Sequence, residues 1–483
     1  MKRTTLSLAV AVAVLALVVG IATLTRPSSG EAAASTPPKQ VPVQRADAVC
    51  PQVRSSPLSS TLYTAFAPSG GAAQGAATLN ELSAEKKERG KLEAPGRPGT
   101  FATTDAEVPA SAWTATGPYA PGFAAQETTR VSDGAGRGLA GVQCLSPGTD
   151  QWFVGTSTAQ NRDAYLYLSN NTNVSAQVDV ELYGPDGQVQ TEGVRSMTFA
   201  PGESQNILLK TLKPDLPVAA VHVLSRVGRI AAAVRDQQGN TGSDWLPEAA
   251  APGRSFVIPG LPEDAANVRL VLYGASDTDT EVGIELIGKA STFKPAGFET
   301  AQVKRNAVTE VDLGAITQGE ASAIKLTAAR ADVIAGVRVT RGTGELTDVA
   351  YLAAAPALTG RAVLADNRAG GTLGSTVYLT APQGAAKVRL TGYANGQPAT
   401  ADVDVTPGTT VAVPAPVPQG ATQFALTVEP QPGSGPVYAA RMVGEVSNKV
   451  PMFTIQPALP TRDTVALPNV GEDMAITVPE EKK

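Results

Sequence analysis

His222 is the only histidine in the chain, so any imidazole-based triad or zinc site would have to use it. It sits in the segment Ala219–Ser225, where alternation turns it away from Val221 and Val223, and no further ligand stands nearby at metal-binding spacing. It is expected on a sheet face, in a structural role. Ser83 and Lys86 fit the S-x-x-K pattern of penicillin-interacting serine enzymes, but the matching K-T-G is absent and Gly242–Trp245 reads G-S-D-W instead of S-D-N. Asp277, Asp279 and Glu281 alternate like calcium ligands, yet the glycine and distant glutamate of an EF-hand loop are missing, which leaves a hairpin loop. No phosphate-binding glycine loop or G-x-S-x-G elbow occurs. Paired carboxylates of the glycosidase kind can come from anywhere in a chain, and one sequence cannot pair them. No catalytic, cofactor-binding or metal-binding residue is therefore assigned, and no cofactor is expected.

The elements that would position such residues are strands. In Gln177–Gly184 the residues Val178, Val180 and Leu182 alternate with Gln177, Asp179 and Glu181, the period of a half-buried strand, and Pro185–Gly187 supplies a turn. The pattern returns about 104 residues later in Val282–Gly288, and Ser243–Gly260 returns in Asp348–Asp366. Arg235, Arg338 and Arg441 recur at equal intervals of 103 residues in Ala/Gly-rich strands. They read as one structural position visited three times, with the arginine on the outward step or at the strand's exit to the rim, and small residues where a partner backbone comes close. A repeated anion-binding set is the functional alternative for these three. Of the three tryptophans, Trp245 is expected in a core because Tyr351 takes its place one repeat later, and Trp152 is read as the same kind of residue. Trp113 is the third.

These patterns predict an all-β chain: tandem immunoglobulin-like antiparallel β-sandwich repeats after a single N-terminal transmembrane helix. The expected domains are an anchor over 1–25, a Pro/Ser/Ala linker over 26–48, a β-rich region over 49–149, repeats over 150–258, 259–364 and 365–470, and a disordered tail over 471–483. Within 49–149 one exposed helix is expected over Asn80–Ala94, capped by Asn80 and supported by a Glu85–Arg89 pair. Leu6–Leu24 carries no charge, and as a helix would reach about 28 Å, near the hydrocarbon thickness of a bilayer. Lys2 and Arg3 precede it, which puts the bulk of the chain outside the cell. The best small-residue cleavage pattern, Ala32–Ala34, lies well beyond the run, so an uncleaved signal anchor is preferred. The two cysteines, Cys50 and Cys144, would then meet in an oxidising compartment and form a disulfide. The net charge of −5 argues against a nucleic-acid partner.

The combination of Cys144–Ser157, Tyr165–Asn170, Val178–Gly187, the Arg235-Asp236 pair with Ser243–Pro247, and Phe256–Pro262 resembles an N-terminally anchored, secreted actinobacterial family of unknown function, marked by W-F-x-G-[ST] and VRD…DWLP motifs. The resemblance implies a single-pass protein of the cell membrane, exposed to the outside. It also implies a role in surface polymer assembly, with an envelope glycosyltransferase or a cell-surface polymer as partner. It carries over no active-site residue. The function expected is a non-enzymatic scaffold or accessory protein of the bacterial cell envelope. The alternative is a carbohydrate-active or glycan-binding protein. A glycan-binding face would expose aromatic residues such as Tyr165, Tyr167 and Trp152.

Overall fold

The structure is a computed structural model that describes residues 13–14, 16–21, 39–54, 58–68, 74–83 and 85–467. Residues 13–14 and 16–21 are helical, and no helix among the described residues is long and apolar enough to cross a membrane. Most of the Leu6–Leu24 run, the Ala32–Ala34 pattern and the tail over 471–483 lie outside the described residues. The chain divides into two units. In the first, Lys39–Pro42 pairs antiparallel with Thr464–Leu467. The second runs from Val43 to Asp463 and holds everything that follows.

The second unit is all-β and antiparallel, and one strand order occurs in it four times. Copy II shows the plan. Eight of its strands are Asp150–Thr156, Arg162–Ser169, Ala176–Gly184, Gly187–Val189, Ser204–Leu208, Ala219–Val227, Ala231–Gln238 and Ser243–Leu246, and a ninth, Met197–Phe199, pairs with Ala176–Gly184. Counted in that order, strands one, six, three and four make one sheet; strands five, two, seven and eight make the other. Val178, Val180 and Leu182 of the first sheet meet Leu166, Leu168 and Val234 of the second in one core. Each such side chain contributes about 1.5–3 kcal/mol when fully buried. Copy III (Ser255–Leu261 to Leu346–Ala353) and copy IV (Ala362–Arg368 to Val450–Pro457) repeat the order. So does the N-terminal region: Arg45–Cys50, Ser111–Thr116, Ala77–Glu81 and Glu88–Lys91 form one sheet, and Gly99–Thr103, Ser59–Phe66, Ala124–Val131 and Gly138–Gln143 the other. That region is copy I.

Three expectations are corrected here. The helix over Asn80–Ala94 is a hairpin, with Thr78 opposite Lys91. Ala77, Leu79 and Glu81 alternate inward, Lys86 takes a φ of 47° that no α-helix accommodates, and Arg89 turns to Glu81 at 2.5 Å. Asn80 bonds Thr78 Oγ1 and caps nothing. The linker drawn over 26–48 ends early, because 39–42 and 45–50 are strands. Arg441 does not share a step with Arg235 and Arg338. Arg235 lies beside Tyr165 and Arg338 beside Arg269, whereas Arg441 lies beside the core residue Val377. The equivalent inward alanines are Ala232, Ala335 and Ala439, so the second interval is one residue longer than the first. A one-residue slip reverses the face.

The copies are fused into a closed ring. The eighth strands of copies I to IV touch in chain order, and the fourth touches the first. The first strands of copies II, III and IV pack on the seventh strands of copies III, IV and I. At the remaining seam, Val49 and Ala112 of copy I meet Ala231 of copy II. Cores run across the seams: Ala440, Phe453 and Ile455 of copy IV belong to the cluster of copy III. Val43 N–H donates to the Asp463 carbonyl, so the chain comes into the ring and leaves it at one place.

Two motifs gain physical reasons. In W-F-x-G-[ST], Phe153 enters the core, and Gly155, at φ 112°, sits where the first strand slips register between Val154 and Thr156. The Gly of Ala-Gly-Val-Arg is Gly336, where an added Cβ would stand 2.5 Å from the Val154 carbonyl oxygen of copy II. The close backbone approach expected of that strand is thus a contact between copies. Gly336→Ala should lower stability by about 1–3 kcal/mol, read as a shift in the urea midpoint at constant slope. Cys50 and Cys144 are joined, with Cα atoms 4.4 Å apart, which ties the first strand of copy I to the end of its eighth. Replacing Cys50 with serine should cost up to about 4–5 kcal/mol, and reductant should then no longer change the unfolding midpoint.

Candidate functional site

Two clusters of ionisable side chains stand apart from the hydrophobic cores. The first lies on the ring axis. Each eighth strand is a sheet edge, and its free backbone groups point at the other copies. Two wholly buried carboxyl groups meet them. Asp244 accepts the Gly141 N–H at 2.9 Å and the Thr454 hydroxyl at 3.0 Å. Asp348 accepts N–H bonds from Phe453 and Val349 at 2.9 Å and from Leu139 at 3.3 Å. Gln456 Nε2 returns a bond to the Gly141 carbonyl at 3.1 Å. Burial pushes the Asp348 carboxyl up to about 8 despite its three backbone donors, and it pushes Asp244 well up too. Glu127, also wholly buried, is pushed up to about 8 by burial, with Arg235 acting in opposition. All four copies meet at these bonds, so the axis is a structural joint.

The second cluster lies where copies II and III meet. Strands one, six and three of copy II place Trp152, His222 and Glu181 side by side on the face away from the core. His222 Nδ1 lies 3.0 Å from Glu181 Oε2, and Nε2 lies 2.9 Å from Asp150 Oδ1. A carboxylate oxygen thus faces each ring nitrogen. The Trp152 ring stacks on the imidazole, centroids 4.0 Å apart and planes within 9°. Tyr273 of copy III stacks on Trp152 at 4.8 Å, and Tyr183 lies 4.8 Å from Tyr273. The Tyr183 hydroxyl donates to Glu181 at 2.9 Å. Burial would raise the Glu181 carboxyl, but the bonds from His222 and Tyr183 hold it below its usual range. Copy III carries Val257, Lys325 and Glu285 in the same register, and Lys325 bonds Glu285 at 2.7 Å. The scaffold thus repeats a basic side chain beside a carboxylate, and copy II adds the rings.

This geometry limits the chemistry. Both imidazole nitrogens already face a carboxylate of the chain itself. The indole is covered by protein rings, so it offers no open platform to a sugar. His222 does lie on a sheet face; its partners Glu181 and Asp150 carried no signal in the sequence beyond their place in alternating strands. Trp152 is half-buried at the seam and is not a core residue like Trp245, which lies opposite Arg235 as Tyr351 lies opposite Arg338. Trp113 is fully buried in copy I. Tyr167 is buried and Tyr165 half-buried. Ser83 and Lys86 belong to a turn, where the Lys86 N–H bonds the Ser83 carbonyl. Asp279 accepts the Arg305 N–H at 2.9 Å, which fixes its loop. Among the described residues no group of three His, Cys, Asp or Glu side chains is arranged to hold a metal ion.

The fold therefore defines an antiparallel all-β protein with a polar axis and a histidine-carboxylate latch. The chain belongs to DUF5719, a family of unknown function, whose pattern matches residues 100–416. No curated protein matches it.

The raised carboxyl groups set a pH dependence. Folding holds protons on Asp348 and Glu127 between their ordinary values near 4 and about 8, where the unfolded chain releases them. Their contribution to stability is complete below about pH 4 and is lost as pH rises to about 8. The melting midpoint should fall between pH 5 and pH 8, and Asp348→Asn should flatten that fall. An unchanged slope in the variant would remove Asp348 from the account.

Proposed function

We propose that the protein is a non-enzymatic, membrane-anchored extracytoplasmic scaffold or accessory protein of the bacterial cell envelope. Each copy is read as an immunoglobulin-like β-sandwich in size and strand count, and the source as an actinobacterium. The observation that carries the reading is the ring itself: four copies share continuous cores, and their chain ends meet at Val43 and Asp463. Such a body presents a broad rigid surface while needing one point of attachment. The Leu6–Leu24 run behind Lys2 and Arg3 is the proposed attachment, with the bulk of the chain outside. The Cys50–Cys144 bond suits an oxidising compartment. The proposed partner is an envelope glycosyltransferase or the surface polymer it builds.

The alternative, a carbohydrate-active or glycan-binding protein, draws on the half-buried aromatic residues Tyr165 and Trp152. It is weakened by the rings stacked on Trp152. Crosslinking in the native membrane, followed by identification of attached chains, separates the two. A membrane glycosyltransferase captured on the ring is the expected outcome. A deletion strain with unaltered envelope glycans, together with no captured membrane protein, would sink the scaffold reading.

A further inference from the structure

The four seams between copies are filled differently. The III/IV seam is apolar, with Val337, Leu352, Phe453 and Ile455 in one cluster. The II/III seam sets Arg162 of copy II on Asp236 at 2.7 Å, with the Tyr351 hydroxyl of copy III 2.8 Å from the same guanidinium. At the I/II seam Glu127 lies within electrostatic reach of Arg235. Each of these is apolar or sets a cation within reach of a carboxyl group, although Arg338 of copy III, which bonds Gln238 of copy II, also leaves its Nε without an acceptor.

The IV/I seam, which closes the ring, is not balanced in this way. Arg441 is fully buried and Arg368 nearly so, and both act on one carboxylate, Asp366. Asp366 is already engaged: Oδ1 accepts Arg368 Nε at 3.0 Å, and Oδ2 accepts Arg368 Nη2 at 2.9 Å and the Thr128 hydroxyl of copy I at 2.6 Å. Arg441 donates through Nη2 to Gln126 Oε1 of copy I at 2.6 Å, while its Nε and Nη1 have no acceptor. The slip that turned Arg441 inward put these donors there. Nearby Asn367 Oδ1 is buried without a partner, but it is neutral and cannot offset a charge. A guanidinium keeps its proton at neutral pH. A buried charge without a counter-charge is costly by several kcal/mol. Water can fill the two donors, but only an anion fills them and balances the charge.

We infer that the IV/I seam binds a small monovalent inorganic anion of halide size at Arg441 Nε and Nη1, with Arg368 as the second positive charge beside it. Arg441 also bonds Gln126 of copy I, so an anion that offsets its charge strengthens the contact between the last copy and the first. Because it binds the closed ring and not the unfolded chain, stability rises with the logarithm of its concentration.

The test is thermal unfolding of the full chain in sodium chloride, sodium bromide and sodium gluconate at matched ionic strength. The midpoint should climb with chloride and bromide but not with gluconate, and Arg441→Met should abolish that difference. Equal midpoints in the three salts, or a halide dependence that survives in Arg441→Met, would overturn the inference. A crystal of the unaltered protein grown in bromide decides the matter even if the variant fails to fold. An anomalous peak at hydrogen-bond distance from Arg441 Nε or Nη1 supports the site; a water or a chain atom there removes it.

Discussion

Everything in this ring depends on how four sheet edges are satisfied where they meet. An edge strand exposes unpaired N–H and C=O groups, which invite another strand or water. Here four edges converge on one axis, out of water. Asp244 and Asp348 accept the inward N–H groups, and Gln456 donates to a carbonyl. Side chains supply what a backbone ladder would supply elsewhere. A buried polar group left unpaired costs about 1–3 kcal/mol, so these bonds decide whether the copies can close at all.

That constraint explains why the copies are similar in plan and unlike in detail. Strand order, inward alternation and the first-strand bulge at Gly155 are common needs of a two-sheet unit. The seams are individual: an arginine-aspartate pair of copy II met by Tyr351 of copy III, an apolar joint between III and IV, and two guanidiniums around Asp366 where IV meets I. Different chemistry at each seam disfavours packing of a copy against the wrong neighbour. The imidazole latch of Trp152, His222 and Glu181 belongs to the same logic, since Tyr273 of the next copy completes its stack.

Much of the strand content was legible because alternation with period two survives in single segments such as Val178–Leu182. The repeat in copies II and III was legible because their turns and motifs match at about 104 residues. Copy I hid its membership. The turn between its third and fourth strands, with the start of the fourth, carries the charged run Glu85–Arg89, whose helix-like spacing arises from a hairpin turn with Lys86 at positive φ. The equal spacing of Arg235, Arg338 and Arg441 misled for a related reason. Interval counts do not see a one-residue difference between strands, while the face of a side chain depends on nothing else. The ionisable sites were the least legible: Glu127, Asp244 and Asp348 stand in ordinary alternating segments, and nothing local marks them as buried.

The sequence by itself determined that this is a β-protein of repeated antiparallel units carrying a paired Cys50 and Cys144, because alternation, turn residues and cysteine count are local properties of the chain. Only the tertiary structure decided that the units number four, that they close on themselves, and which charged side chains lie in the seams. Those facts depend on contacts between residues far apart in the chain, such as Gln126 and Gln456, 330 positions apart. No local pattern encodes such pairs, because the field and solvation at each group come from copies that meet only after the ring has closed.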